Sequence, residues 1–253
     1  MITRTVTITI PSLEPVLIRV RSERSLRYAE SSKKDLPNRS ALTHDRAVDH
    51  RIGAFAEMHH IFLQNYQDLM NIITKIQNPE LEYSKRVDLM LNNINQYIFN
   101  FISAAMALRD NTNEMTKFYD NTTLGNLIKE NTKKIFANNL EIAFIQKYRN
   151  IHTHKRLMIA YLSDDDKILW DTECLLKISN EWNCLSKKYI SNCGESICLE
   201  ELFVEYFQTT NYFYNWLYPE LLKWHKNDAL ETIKIAARLN KPLPKIYFDI
   251  ARI

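Results

Sequence analysis

Lys147-Tyr148-Arg149-Asn150-Ile151-His152-Thr153-His154 closes a long run of helical periodicity, and its reading decides the fold. A helix turns about 100° per residue, so Asn150 and His154 lie nearly above one another on one face. Arg149 starts further round, but its long stem brings the guanidinium back toward the same imidazole. The segment therefore groups a titratable imidazole, a fixed cation and an orienting amide. Metal-free phosphate chemistry needs such a group, because a proton must move near neutral pH and developing charge must be held. His152 sits two residues from His154 and points elsewhere, which marks it as a packing or surface residue.

Working outward, the chain reads as helix after helix. Asp45 is a candidate N-cap for a helix reaching about Ile76, with Ile52, Phe55, Ala56, Ile61, Phe62, Leu69, Ile72 and Ile73 on its apolar stripe. Asn78-Pro79 breaks that pattern, and Pro79 suits the first turn of a second helix running to about Asp110. Its stripe holds Leu91, Ile94, Ile98, Phe101, Ile102, Ala105 and Leu108. The motif helix is expected to run from about Leu124 to His154, through Leu127, Ile128, Ile135, Leu140, Phe144 and Ile145. Further helices are expected near Thr172–Tyr189 and Leu199–Leu239, separated by a loop at Cys193-Gly194, with a kink or a new start at Pro219.

Two short β elements decorate this plan. Residues 3–21 alternate β-branched and polar side chains around Pro11-Ser-Leu-Glu-Pro15, as a β-hairpin does. Leu157–Leu162 and Lys167–Trp170 flank the acidic turn Asp164-Asp165-Asp166 and read as a second hairpin. The expected organisation is an N-terminal hairpin, arm and linker over 1–44, a helical domain over 45–240, and an extended tail over 241–253. The fold class is mainly all-α.

Composition excludes several alternatives. Only 3 glycines in 253 residues disfavour a β-sandwich or a nucleotide-binding α/β sheet, which use glycine at turns and phosphate loops. No glycine-rich phosphate loop is present. With 45% hydrophobic residues the chain can bury one large core. A net charge of +3 is too small to mark nucleic-acid binding by itself, so any such contact must come from local basic clusters. No run of eighteen apolar residues and no signal-peptide pattern is found, and the expectation is a cytoplasmic protein without membrane contact. Cys174, Cys184, Cys193 and Cys198 lack a CxxC spacing and fit a reduced set.

Arg149-Asn150 followed by His154 resembles the RNxxxH form of the Arg-four-residues-His motif of the HEPN superfamily. The helix Asn95–Asp110 is similar to the helix packed beside the motif helix in that family, and the layout of roughly residues 50–235 follows the same order. A second copy of the bare spacing, Arg39 to His44, falls in a polar stretch after Pro37 and lacks the Asn, so it reads as a decoy. The resemblance implies an all-helical, dimeric, metal-independent endoribonuclease of toxin or anti-phage defence type. It implies RNA as substrate, no cofactor and no metal, and an antitoxin or defence-system protein as a partner. In the implied roles His154 moves protons, Arg149 stabilises the phosphorane and Asn150 orients the substrate or the imidazole. A two-fold dimer would bring both copies of the motif to one cleft. A non-catalytic RNA- or protein-binding module of the same kind is the alternative, and an effector-binding regulatory domain a third reading.

Supporting candidates surround the motif. Asp110 and Arg109 end the neighbouring helix, where a carboxylate would orient Arg149 or raise the basicity of His154. Lys147, Lys155 and Arg156 flank the motif and suit phosphate contacts. Asn100 is expected to be solvated. His59-His60 lacks any carboxylate-His spacing and suits structural or surface roles, and Asp164–Asp166 a solvated turn. Tyr212, Phe213, Tyr214, Trp216, Tyr218 and Trp224 suit core or interface packing better than base stacking.

Overall fold

The computed structural model describes residues 5–10, 13–19, 39–154, 159–178 and 182–238, together with Tyr247 and Ile250. Helices dominate, as the apolar periodicities require. They are α1 (Arg39–Gln77), α2 (Tyr83–Leu89), α3 (Asn95–Thr116), α4 (Thr123–Phe136), α5 (Leu140–His154), α6 (Thr172–Ile178), α7 (Cys184–Asn192), α8 (Leu199–Trp224) and α9 (Lys226–Arg238). Two small antiparallel sheets accompany them: β1 (Thr5–Ile10) with β2 (Leu13–Arg19), and β3 (Tyr161–Leu162), β4 (Ile168–Asp171) and β5 (Ser196–Cys198). The chain divides into two compact units, Met1–Ala54 with Asn215–Ile253 and Phe55–Tyr214, the divisions falling inside α1 and α8. Among the described residues no helix is long and apolar enough to cross a membrane.

The unit Phe55–Tyr214 is built on aromatic packing. Phe62 of α1 stacks on Phe101 of α3 and Phe207 of α8, with ring centroids 5.4 and 5.5 Å apart. Phe203 meets Phe101 edge-on at 5.8 Å. Such offset and edge contacts add directional preference to the burial of large apolar rings. His59 is part of this core: its Nε2 lies 3.0 Å from Asn211 Oδ1, and burial holds its pKa below the ordinary value. It is a neutral core residue, with ring partners Phe55, Phe62 and Tyr214.

Several boundaries differ from the sequence expectations, each for a local reason. Helix α1 starts at Arg39 instead of Asp45, because no Gly or Pro interrupts the chain between Pro37 and Gly53. The decoy pair Arg39 and His44 therefore begins a helix and does not lie in a linker. The second helix starts at Tyr83, after a turn at Asn78, and not at Pro79. A π-helical turn at Met90–Ile94 then shifts the register. It buries Met90 and Ile94 and turns Leu91 out to 55% exposure, against its expected place on the stripe. Ile61 and Leu127 are likewise exposed, while the remaining stripe positions of α1 and α3 are buried.

The motif helix is two helices. Asn139 interrupts it, its Oδ1 accepting from the Ile142 N–H at 3.0 Å and capping α5. The segment near Thr172–Tyr189 also divides, with Asn183 capping α7 through the Ser186 N–H at 2.7 Å. The second hairpin exists as β3 and β4, but β4 pairs on its other edge with β5 (Trp170 opposite Ile197), a strand the sequence disguised as a loop. The acidic turn is structural, for Asp166 sits at φ +62° and receives the buried Arg86 guanidinium.

The unit Met1–Ala54 with Asn215–Ile253 holds the β1–β2 hairpin and a cluster of Ile52, Leu222, Ala229, Tyr247 and Ile250. Tyr247 and Ile250, from the stretch expected to be an extended tail, are helical and buried. Pro219 lies within α8, and the helix breaks at His225 instead.

Candidate functional site

Helix α5 is fixed by its inner face. Phe144 stacks on Trp182 and Tyr189 at 5.4 and 5.0 Å, and Tyr148 meets Trp170 at 4.6 Å. Ser186 Oγ donates to the Ala143 carbonyl at 3.1 Å and ties α7 to α5. With these apolar positions inward, the same helical phase turns Ile142, Gln146, Lys147, Arg149 and Asn150 onto a different face. That face lines a cavity of about 780 Å³ within the unit Phe55–Tyr214. Arg149 Nη1 donates to Asn150 Oδ1 at 3.4 Å, so the two motif residues stand together at the cavity.

The other walls come from α3, α4 and α8. Arg109, Thr112 and Thr116 contribute from α3, and Lys129, Lys133 and Phe136 from α4. Phe213 and Tyr214 of α8 close the side away from solvent, both buried. The lining thus holds five cations, Arg109, Lys129, Lys133, Lys147 and Arg149, and among the described residues no Asp or Glu. Arg109 and Lys129 pair with Asp110 and Asp120 outside the lining, at 2.8 and 2.7 Å, so the excess positive charge of the concave surface is concentrated at Lys133, Lys147 and Arg149, where it favours anions. The Tyr214 hydroxyl lies 3.5 Å from Thr112 Oγ1, and burial pushes its pKa up to about 12. Burial likewise raises Tyr206, so both phenols stay neutral hydrogen-bonding groups.

Of the residues expected from sequence, Arg149, Asn150, Arg109 and Lys147 meet at this cavity. His154 ends α5, four residues beyond Asn150, and its side chain and that of His152 lie outside the described residues, as do Lys155 and Arg156. Asp110 is placed differently from the expectation. Its Oδ1 accepts from Arg109 Nε and Nη2 at 3.0 and 2.8 Å, and it borders a separate shallow groove beside Met58 and Glu114. Asp110 shares the helical phase of Ala107 and Glu114, the side of α3 that faces this groove. Asn100 is solvent-exposed, as expected.

Lys129, Lys133 and Phe136 were missed in the sequence. The signal was present, since they recur at four- and three-residue spacing on one face of an amphipathic helix, but an exposed basic face is the ordinary outcome of that pattern. The aromatic run does not form one patch. Phe213 and Tyr214 are buried at the cavity wall, whereas Tyr212 is 70% exposed.

No family model, curated protein or solved structure matches this chain. The site therefore stands on its own geometry.

Proposed function

We propose that this protein is a metal-independent endoribonuclease acting at the Arg149 cavity, of the kind that serves toxin and anti-phage systems. The observation that carries the reading is the cavity itself: Arg149 and Asn150 share it with Arg109, Lys129, Lys133 and Lys147, without a carboxylate in the lining. A phosphodiester backbone fits that surface. RNA supplies its own nucleophile, so the protein has only to move protons and hold charge.

In this reaction the ribose 2′-oxygen attacks the adjacent phosphorus and the P–O5′ bond breaks. The products are a 2′,3′-cyclic phosphate and a 5′-hydroxyl. His154 removes the 2′-hydroxyl proton, and Arg149 grips two non-bridging oxygens of the phosphorane through its planar fork. Asn150, hydrogen-bonded to Arg149, orients that fork. The leaving 5′-oxygen needs a proton, which His154 of the partner subunit supplies in a two-fold homodimer. The four free cysteines are in keeping with a reducing cytoplasm.

The test is cleavage of RNA in the presence of a chelator. The parent chain is expected to leave a cyclic phosphate end and to spare DNA, which lacks the nucleophile. His154→Ala is expected to slow cleavage by roughly 10²-fold or more, with His152→Ala near the parental rate. Cleavage of DNA, or a strict need for a divalent ion, overturns the reading, and a monomer with intact activity by light scattering overturns the shared site. RNA binding without cleavage under all these conditions supports the non-catalytic module instead.

A further inference from the structure

A second polar junction lies outside the cavity, between α5, α7 and α8. Glu141 of α5 stands there with Glu205 of α8 and with Tyr189 and Cys193 of α7. Glu141 is only 9% exposed, and its Oε1 is enclosed without a hydrogen-bond partner. Glu205 reaches water. The two α7 groups offer no counter-charge: the Tyr189 phenol and the Cys193 thiol hydrogen-bond to each other, and burial raises the pKa of both. Tyr206, the next residue of α8, is likewise a buried phenol, and Arg109 of α3 acts on Tyr206 and not on Glu141. Among the described residues no cation contributes at Glu141. The first turn of a helix ordinarily favours an ionised carboxylate through the helix dipole. Here enclosure outweighs that preference. Burial and the facing Glu205 push the Glu141 carboxyl up to about 8, so at neutral pH it keeps a proton and donates it to Glu205. The next residue on each helix, Ile142 and Tyr206, lines the cavity, so the junction sits directly behind two of its walls.

We infer that the Glu141–Glu205 pair is a proton-operated latch: with one shared proton it holds the first turn of α5 against α8, and loss of that proton releases the turn and the cavity wall it carries. The latch acts on the fold and is independent of what the cavity takes. Once released, Glu141 is hydrated and returns to an ordinary 4.5, whereas in the closed junction it titrates at about 8. The closed form therefore holds a proton that the released form has lost between those values. Closure is full below pH 4.5, weakens steadily as pH rises, and levels off above about 8. Neutral pH falls on the sloping part, where small changes in acidity shift the balance.

Hydrogen–deuterium exchange of the full chain, read by mass spectrometry and corrected for the intrinsic pH dependence of each amide, measures the release. Protection over Ile142–Lys147 of α5 is expected to fall by about 10-fold or more between about pH 6 and about pH 9, most of it before pH 8. Protection of α3 should stay unchanged over the same range. Glu141→Gln keeps a donor toward Glu205 and has no proton to lose, so its α5 protection should be constant with pH. Glu205→Gln removes the facing charge and should shrink the pH effect, leaving the part that burial causes. Because Glu205 is exposed, its variant is expected to fold even where Glu141→Gln does not, and its comparison with the parent then decides. The latch is overturned by α5 protection that ignores pH in the parent, by a pH effect undiminished in the variants, or by a loss of protection spread evenly over the chain.

Discussion

Arg109 of α3 and Arg149 of α5 line the same cavity, while the next residue of each helix does something different. Asp110 turns away to pair with Arg109, and Asn150 stays at the cavity with Arg149. The pair sets two fixed cations on walls that no local sequence rule connects.

That placement predicts a salt signature. Arg149→Gln and Arg109→Gln should each weaken RNA binding and lower the slope of log affinity against log salt by roughly one unit or less, as expected for loss of one phosphate contact. Arg149 is exposed, so the thermal midpoint of its variant should stay within about 2 °C of the parent. Arg149→Lys should bind with a near-parental slope and yet cleave poorly, because a point charge does not reproduce the fork. Anisotropy titrations at several salt concentrations check all three variants, and unchanged slopes would contradict the phosphate role.

Glu141, in the first turn of α5, supplies a pH dependence. Burial first, then its hydrogen bond to and repulsion from Glu205, push its carboxyl from an ordinary 4.5 up to about 8. The folded chain keeps a proton that the unfolded chain has released between those values. Stability from this group is therefore full below pH 4.5 and is lost as pH rises toward 8. Glu141→Gln, neutral at every pH, should melt close to the parent at pH 4.5 and about 3 °C or more above it at pH 8.5. Paired melting curves across that range read the difference, and a constant offset would mean that Glu141 is already ionised.

Arg86 gives a prediction about the small sheet. It is almost wholly buried, its Nε donating to the Ile76 carbonyl at 2.6 Å and its Nη2 to Asp166. Asp166→Asn tolerates the left-handed backbone but leaves a buried cation without its counter-charge. The expected loss is roughly 2 kcal/mol, less than for a fully buried pair because Asp166 keeps water contact. Arg86→Met should cost less, since the carboxylate it abandons can hydrate. Urea unfolding of both variants tests the order.

Gly125 controls the α4 wall. A Cβ at this position would stand 2.0 Å from the Tyr119 carbonyl oxygen, a backbone atom with no freedom to swing aside. Gly125→Ala should therefore displace the start of α4 and destabilise the chain by about 1–3 kcal/mol. RNA affinity should fall with it, because Lys129 and Lys133 ride on that helix. Denaturation and binding measured on one preparation will show whether the two losses travel together.

Much of the plan was legible in the chain. Apolar residues at helical spacing marked α1, α3 and α8, and the β-branched alternation of residues 5–19 marked the β1–β2 hairpin. Arg149 and Asn150 were identifiable because a helix fixes the angular relation of neighbours wherever it is placed. These are short-range facts, set within a few residues by backbone geometry and capping. The tertiary structure decided the rest. The π-turn that rotates Leu91 outward and the pairing of β5 with β4 depend on which segments meet. So does the cavity: Lys129, Phe136 and Phe213 line it with Arg149 only because α4 and α8 supply walls beside α5. Periodicity tells a side chain which way to face on its own helix, and only the fit of distant surfaces says what it will face.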